Sequence, residues 1–344
     1  MHGLSAKERT YKKEEMFLSS YACRSADTRG RQREETPCSM RTDFQRDRDR
    51  IIYSKAFLRL KNKTQVFFSP EGDHFRTRMT HTIDVSQIAR SIARSLALNE
   101  DLAEAIALGH DLGHTPFGHA GERVLNAISP LGFSHNVQSL RVVDVLEKEG
   151  KGLNLTFEVR DGILNHKKSG SPATLEGRAV SLADRIAYVN HDIEDAIRAD
   201  LLRAEDLPAQ DVKALGATSR ERINTMITSI YENSMGENTV RMGKTEADAL
   251  EDLRTFMFEK VYITPVSMRE EERAKRMLFS MYDYFLKNKD KLPAFYLALS
   301  EEYPLEQVIC DYLSSMTDKF AVAVFDNIFV PHSWALTQKD IEEI

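Results

Sequence analysis

Apolar residues recur at spacings of three and four along most of the chain after residue 50, which is the pattern of one buried face of an α-helix. The segment 82–98 shows the pattern most clearly, since its valine, isoleucine, leucine and alanine side chains fall on one face. The segment 176–198 shows the same pattern over a greater length and predicts a long helix. Further helices are predicted at 101–109, 119–128, 136–149, 220–233, 246–261, 270–287 and 305–322.

Patterns that favour a sheet are weak. Short strands are possible at 65–68 and 153–155, but no alternating series is long enough for a large sheet. The 16 glycines and 10 prolines are also few for an all-β chain. The sequence therefore predicts an all-α fold whose main interruptions fall at 204–219 and 235–238.

The character of the chain changes along its length and suggests three regions. Residues 1–41 form a polar, arginine-rich arm, and we expect its first part to be mobile. Residues 42–200 hold the candidate chemistry and are expected to form a catalytic core. Residues 201–344 are expected to form a helical C-terminal region that packs on this core.

The overall composition is that of an ordinary globular protein, with 42% hydrophobic and 29% charged residues. A net charge of −6 argues against a polycation that binds nucleic acid, although a local basic cleft is compatible with it. The start of the chain lacks the apolar run of a signal peptide, and no apolar stretch is long enough to span a membrane. Cys23, Cys38 and Cys310 show no pairing pattern, so we expect free thiols and a cytoplasmic protein.

Eight arginines lie between residues 24 and 50 and are interleaved with acidic residues. Such a pattern most often forms a solvated surface with ion pairs. A surface for single-stranded nucleic acid is the alternative, and its affinity would fall as the salt concentration rises.

A cluster of histidines and carboxylates is the strongest chemical signal in the chain. Residues 110–122 read HDLGHTPFGHAGE and hold three of the ten histidines beside one aspartate and one glutamate. His110 and Asp111 lie at the end of an apolar predicted helix, where both side chains can approach one ion. Imidazole nitrogen combined with carboxylate oxygen suits manganese, iron, cobalt, zinc or nickel, and suits magnesium less well.

Two further candidate ligands lie on other predicted helices. His81 is at the start of the helix 82–98, and Asp184 is in the middle of the helix 176–198. An ion pair with Arg178 or Arg185 is the simpler explanation of Asp184. The apolar residues around Asp184, however, predict that it is partly buried, and a metal ion would compensate a buried carboxylate.

The order His81, His110, Asp111 and Asp184 resembles the metal-binding set of the HD superfamily of phosphohydrolases. The surrounding segments are more specific, because over about residues 15–335 they resemble bacterial deoxyguanosinetriphosphate triphosphohydrolase-like proteins. These segments read FQRDRDRIIYSKAFLRLKNKTQVF, GDHFRTRMTHT, ALGHDLGHTPFGHAGE, FSHNVQSLR, EVRDGILNH, LADRIAYVNHDIEDA and CDYLSSMTDKFA. The resemblance implies an HD-domain helical bundle with additional C-terminal helices. It also implies one divalent metal ion on these four residues, drawn from manganese, magnesium, iron, cobalt or nickel.

The resemblance further implies hydrolysis of a deoxynucleoside triphosphate (dNTP) to the deoxynucleoside and tripolyphosphate. A proton must then reach the departing 5′ oxygen, and His119 is the candidate general acid. Glu122 lies one helical turn later, where a carboxylate can hold the imidazole tautomer and raise the imidazole pKa. Helix capping is the alternative role for His119.

Several candidate phosphate contacts surround these residues. By resemblance, His114 and His135 contact phosphates, although Ser134 or His135 would also suit a helix cap. Arg78 lies one turn before His81 and would clamp a phosphate, unless it is a surface arginine. The resemblance implies that Arg185 reaches phosphate as well.

Candidate sugar contacts lie on the same long helix as Asp184. Asp184, Tyr188 and Asp192 follow each other at intervals of four residues and therefore share one stripe. By resemblance, Tyr188 packs against the sugar and Asp192 receives the 3′-hydroxyl. A solvated acidic face formed by Asp192 and Asp195 beside Arg198 is the alternative.

Other positions carry weaker signals. Gln65 resembles a further sugar contact of the family, whereas His166 is expected to be structural. Leu58 and Asn62 depart from the family pattern, in which a basic residue and a histidine are expected. Both departures lie outside the metal set, so they bear on substrate preference rather than on the reaction.

Two rival functions remain open. Another HD phosphohydrolase, such as a nucleotidase or a cyclic-nucleotide phosphodiesterase, would need the same metal set, but it would not need the His119–Glu122 pair or the Tyr188–Asp192 stripe. A nucleotide sensor or nucleic-acid-binding protein would need no intact metal set. The expected partner is a dNTP substrate; the resemblance also allows a dNTP activator and a homo-oligomer, and no membrane partner is expected.

Overall fold

The computed structural model describes residues 3–65, 76–262 and 265–331, with the backbone alone at 265–267. Within these ranges the predicted all-α fold is confirmed, because strand-like pairing is confined to two isolated bridges, Arg31 with Thr156 and Thr64 with Thr77. None of the described helices combines the length and hydropathy needed to cross a membrane. The α-helices are α1 (Ala6–Phe17), α2 (Asp43–Ile52), α3 (Lys55–Arg59), α4 (Arg78–Ser95), α5 (Glu100–Gly109), α6 (Gly118–Ile128), α7 (His135–Arg141), α8 (Glu147–Gly150), α9 (Phe157–Asn165), α10 (Leu175–Arg198), α11 (Ala209–Leu215), α12 (Ser219–Ser234), α13 (Lys244–Met257), α14 (Pro265–Lys287), α15 (Ala294–Leu299), α16 (Leu305–Ser315) and α17 (Asp318–Phe329). Shorter helical turns are 3₁₀ turns at Ser25–Asp27, Leu60–Asn62, Ala204–Asp206 and Lys289–Lys291, and π turns at Val142–Leu146 and Phe258–Tyr262.

The structure corrects three predicted elements. The helix expected at 305–322 is two helices, because the chain breaks at Met316 and Thr317 caps α17 by accepting a hydrogen bond from the Phe320 amide. The expected loop at 204–219 contains α11. No strand forms at 153–155; the adjacent residue Thr156 makes one isolated bridge, to Arg31. Residues 66–68 of the other expected strand lie outside the described ranges.

The three helices that position the candidate metal ligands begin at polar caps. Thr77 caps α4 together with Thr80, the Asn99 side chain caps α5, and the Thr174 hydroxyl caps α10. Each cap satisfies backbone amides that have no partner within the helix. These caps therefore define where α4 and α5 start and fix the positions of the ligands that follow.

The described residues form two hydrophobic cores. The first is formed chiefly by α2, α4, α5, α9 and α10, and α5 is its most buried helix, with Leu102 and Ile106 fully covered. The second is formed by α14, α15, α16 and α17 together with Val124 and Leu125 of α6. Helix α6 therefore carries residues 119–122 on an element that packs against the C-terminal helices.

The segment before α2 is fastened to the first core by one arginine. Arg31 pairs closely with the fully buried Asp47 and donates to the Asn154 carbonyl at 2.7 Å. The Asp47 carboxylate also accepts from the Thr156 amide at 2.8 Å and the Thr156 hydroxyl at 2.7 Å. Part of the arginine-rich stretch therefore supplies a counter-ion to the interior.

Candidate metal centre

The structure brings the four candidate metal ligands together. His81 lies in the first turn of α4, His110 and Asp111 follow the last residue of α5, and Asp184 lies midway along α10. His81 Nε2 is 3.1 Å from Asp184 Oδ1, and His110 Nε2 is 3.7 Å from the same atom. His110 Nε2 is also 3.7 Å from Asp111 Oδ1. Both histidines and Asp111 are buried, so the cluster lies in the interior between three helices.

The hydrogen bonds of His110 suit a metal ligand. His110 Nδ1 lies 2.6 Å from the Ala107 carbonyl, which can only accept, so the proton is on Nδ1. The lone pair of Nε2 therefore faces two carboxylates, and this buried nitrogen has no hydrogen-bond donor among the described residues. A lone pair beside two anionic oxygens is stable only with a cation between them. The residues thus fit a divalent metal ion with mixed nitrogen and oxygen ligands.

Both carboxylates of the cluster are held in the ionised form that a metal requires. Burial alone would raise the pKa of Asp184, but the hydrogen bond with His81 and the nearby His110 ring lower it overall. Burial likewise opposes ionisation of Asp111, whereas His110 and Arg78 outweigh it and bring the pKa of Asp111 well below its usual value.

Arg78 is buried rather than on the surface, so the surface alternative is wrong. Its Nη1 donates to Asp111 Oδ2 at 2.6 Å, and its Nη2 donates to the Gln65 carbonyl at 3.3 Å. Arg78 therefore orients one carboxylate of the candidate metal cluster and lies beside the predicted sugar contact Gln65. The side-chain oxygen of Gln65 is buried and has no hydrogen-bond partner among the described residues.

A second cluster adjoins the first and is centred on Glu122. His119 Nδ1 is 3.2 Å from Glu122 Oε2, and His135 Nδ1 is 2.8 Å from the same oxygen. The His114 ring stacks on the His135 ring with centroids 4.6 Å apart. His114 and His135 are buried, whereas the His119 side chain is 65% exposed. Neither His119 nor Ser134 makes a side-chain capping bond, so the capping alternatives are not observed.

Glu122 remains ionised between these imidazoles. Burial would raise its pKa, but the hydrogen bonds from His119 and His135 lower the pKa far more. Lys167 adds a positive charge, because its Nζ donates to Glu122 Oε1 at 3.1 Å. Glu122 is thus a fixed anion that orients two histidines.

His166, which we expected to be structural, links the two clusters. Its Nδ1 donates to the Ile163 carbonyl at 2.7 Å, and its Nε2 lies 3.2 Å from His135 Nε2. Burial, with smaller effects from His110 and His135, lowers the pKa of His166 to about 3. Asp111, His135 and His166 each offer one atom that could bind a metal ion, and these three atoms lie within 4.8 Å of one another. No local pattern predicted that His166 lies between the two clusters, because it is a single histidine at the end of a short helix.

The stripe along α10 leads from the candidate metal ligands into the interior of the protein. Tyr188 is partly buried one turn after Asp184, and Asp192 is buried one turn further on. The Tyr262 hydroxyl donates a short hydrogen bond to Asp192. Burial raises the pKa of Asp192 to about 7. Tyr262 was missed by the sequence analysis, because no local pattern connects it with α10.

The alternative of a solvated acidic face is wrong. Asp192 and Asp195 are both buried, although Asp195 does pair with Arg198 at 2.6 Å. The predicted phosphate contact Arg185 is bound to Glu251 at 3.3 Å. Glu251 also pairs with Lys168 at 3.0 Å, so Arg185 and Lys168 share one carboxylate.

Comparisons with known proteins agree with this arrangement. The HD domain model matches residues 78–189, and the phosphohydrolase-associated domain model matches residues 240–327. A deoxyguanosinetriphosphate triphosphohydrolase-like protein of Caldanaerobacter subterraneus subsp. tengcongensis is 56% identical over 96% of this chain and 98% of its own length. One from Desulfatibacillum aliphaticivorans is 48% identical over 95% and 99%. A phosphohydrolase structure from Bacteroides thetaiotaomicron, with a TM-score of 0.52, 18% identity and coverage of 82% and 68%, supports the fold alone.

The chain is therefore an HD-domain hydrolase, and its chemistry is that of a phosphohydrolase. Its identity to these relatives over nearly the whole length is high. It belongs to the family of deoxyguanosinetriphosphate triphosphohydrolase-like proteins.

Proposed function

We propose that the chain hydrolyses deoxynucleoside triphosphates to deoxynucleosides and tripolyphosphate. The observation that carries the proposal is the α10 stripe, because it joins Asp184 in the candidate metal cluster to the partly buried Tyr188 and the buried Asp192. A phosphate bound near Asp184 and a sugar bound near Asp192 would lie along one rigid helix. The names of the related proteins point to the same substrate class.

His81, His110, Asp111 and Asp184 would hold the divalent cation, because their lone pairs converge and their carboxylates are ionised. When bound, such a cation lowers the pKa of a coordinated water and offsets the charge of a phosphoryl group. Arg78 keeps Asp111 in position through its 2.6 Å hydrogen bond. The chain therefore contributes an oriented ligand set before substrate arrives.

His119 is the proposed general acid for the departing 5′ oxygen. Its Nδ1 faces the ionised Glu122, so a proton on Nε2 is directed away from Glu122. The exposed side chain is accessible to substrate. A positioned acid is typically worth ~10²–10⁴-fold in rate.

The remaining residues would bind the two ends of the nucleotide. His114 and His135 lie beside His119 and would contact phosphates. Arg185 would release its hydrogen bond to Glu251 and bind phosphate instead. At the other end, Tyr188 would pack against the sugar and Asp192 would receive the 3′-hydroxyl. Gln65, next to Arg78, would complete the sugar contacts.

Product analysis tests the proposal. The purified protein is incubated with each of the four dNTPs, alone and mixed, in manganese or magnesium, and products are separated by anion-exchange chromatography. Release of tripolyphosphate and deoxynucleoside is expected. Release of inorganic phosphate would instead identify an HD nucleotidase, and activity restricted to mixtures would indicate a dNTP activator. Ribonucleotides and a chelated sample serve as controls.

A further inference from the structure

The turn that leads into α6 has an unusual backbone. Phe117, the residue before α6, adopts left-handed angles of φ 61° and ψ 25°, and Gly118 follows with φ 56°. A left-handed conformation is unfavourable for a bulky residue such as phenylalanine. The Thr115 hydroxyl donates to the Gly118 carbonyl at 2.9 Å within the turn, but Phe117 makes no side-chain cap. Such a conformation persists where the surrounding structure holds it, so contacts that reach the turn from other elements bear on the start of α6.

Asp318 of α17 supplies that contact. Its Oδ1 accepts a hydrogen bond from the Phe117 amide at 3.0 Å. Its Oδ2 accepts from the Thr64 amide at 3.0 Å and from the Thr64 hydroxyl at 2.7 Å. The Asp318 side chain is buried, whereas its partners Thr64 and Phe117 are partly buried, so the carboxylate is largely shielded from water.

A second set of hydrogen bonds holds the other end of the same turn. The buried Lys63 donates from Nζ to the His114 carbonyl and, at 2.7 Å, to the Ser314 carbonyl at the end of α16. Lys63 and Thr64 also meet the start of α4, because the Arg78 amide donates to the Lys63 carbonyl at 3.0 Å. The C-terminal helices thus hold both ends of the turn that separates the metal ligands from His119.

We propose that Asp318 is a positioning residue that keeps Phe117 in its left-handed conformation and thereby places His119 relative to the metal ligands. The inference rests on the proposed function, in which His119 transfers a proton. His119 is the second residue of α6, so a change at Phe117 moves it directly. Displacement of a catalytic group by about 1 Å can cost ~10²-fold in rate.

The test is Asp318→Asn with the matched control Thr317→Ala. Asparagine offers a single acceptor oxygen, so its amide group must face either the Phe117 amide or Thr64. Thr317→Ala removes the neighbouring cap of α17, a 3.3 Å bond to the Phe320 amide, and leaves the carboxylate in place. For D318N we expect kcat to fall about 10- to 100-fold, with KM within about threefold and metal content unchanged. T317A is expected to keep kcat within about twofold.

A double-mutant cycle separates positioning from general destabilisation. If Asp318 acts through His119, D318N should lower the residual kcat of His119→Ala by less than about twofold. Multiplicative effects would overturn the proposal, as would an equal loss in T317A or an unchanged kcat in D318N.

Amide hydrogen exchange of peptides spanning residues 112–120 gives a readout independent of the substrate. D318N should exchange faster there than wild type and T317A. Unchanged exchange would overturn this inference even in an active enzyme. If D318N exchanges faster but the wild type releases no tripolyphosphate, the proposed function is overturned and the contact between Asp318 and the turn is not.

Discussion

A buried glutamate at the start of α10 should make the stability of the protein depend on pH. Glu176 is completely buried, and its Oε1 accepts from the Cys23 amide and the Asn99 amide, each at 3.0 Å. Its other oxygen has no hydrogen-bond partner among the described residues. Burial raises the pKa of Glu176 to about 7, despite these two amides, and the nearby Glu14 adds to the increase.

The size and sign of the effect follow from this pKa. The ordinary value is 4.5, so the folded state favours the neutral carboxyl by roughly 3 kcal/mol. The raised pKa means that this stabilisation is complete below about pH 4.5 and is lost as the pH rises through about 7. Glu176→Gln stays neutral and keeps an oxygen for both amides. The free energy of unfolding of wild type relative to E176Q should therefore fall by roughly 2.5 kcal/mol between pH 5 and pH 8.5, because a small part of the stabilisation is already lost at pH 5.

Urea unfolding of both proteins at pH 5, 6, 7 and 8.5 measures this difference. Comparison with E176Q cancels the contributions of the other carboxylates, which are present in both proteins. Glu232→Gln, on the exposed side of α12, makes the same charge change at the surface and should show no such trend. A wild-type-to-E176Q difference that stays constant with pH would refute the argument from burial.

Three further predictions concern the proposed active site. Asp184→Ala should lose both bound metal and activity, because it removes the carboxylate that faces His81 and His110; full metal occupancy by elemental analysis would remove Asp184 from the ligand set. His119→Ala should keep its metal and lose ~10²–10⁴-fold in kcat; loss of metal would make His119 a ligand, and near-normal turnover would place the acid elsewhere. Tyr188→Ala should lower the ratio of kcat/KM for a dNTP over its ribonucleotide by about tenfold or more, because a ring packed against the sugar as proposed would leave no room for a 2′-hydroxyl. Equal hydrolysis of both by wild type would contradict a sugar gate, and unchanged selectivity in the variant would move the gate to another residue.

The helices were predictable where the apolar periodicity is long and ends at a clear cap. Helices α4 and α10 satisfy both conditions, and the observed ends lie within a few residues of the predictions at 82–98 and 176–198. The break between α16 and α17 was not predictable from periodicity, because apolar residues continue across Met316. The cap at Thr317 ends the first pattern and begins a new one.

The candidate site divides along similar lines. His110, Asp111, His119 and Glu122 share one short segment, so local spacing alone indicated that they act together. Tyr262 meets Asp192 across 70 residues of chain, and no local pattern encodes such a contact. The same applies to Asp318, which lies 201 residues from Phe117 and meets it from α17, a helix of the second core.

The Arg31–Asp47 pair affects how the catalytic unit can be expressed. A fragment that begins at Thr42, the cap of α2, would leave Asp47 in the interior with two Thr156 donors and no counter-ion. An uncompensated buried charge is strongly destabilising, of the order of 3–5 kcal/mol. Fragments for expression should therefore start upstream of Arg31, and a fusion partner joined directly at Thr42 would give a protein of low yield.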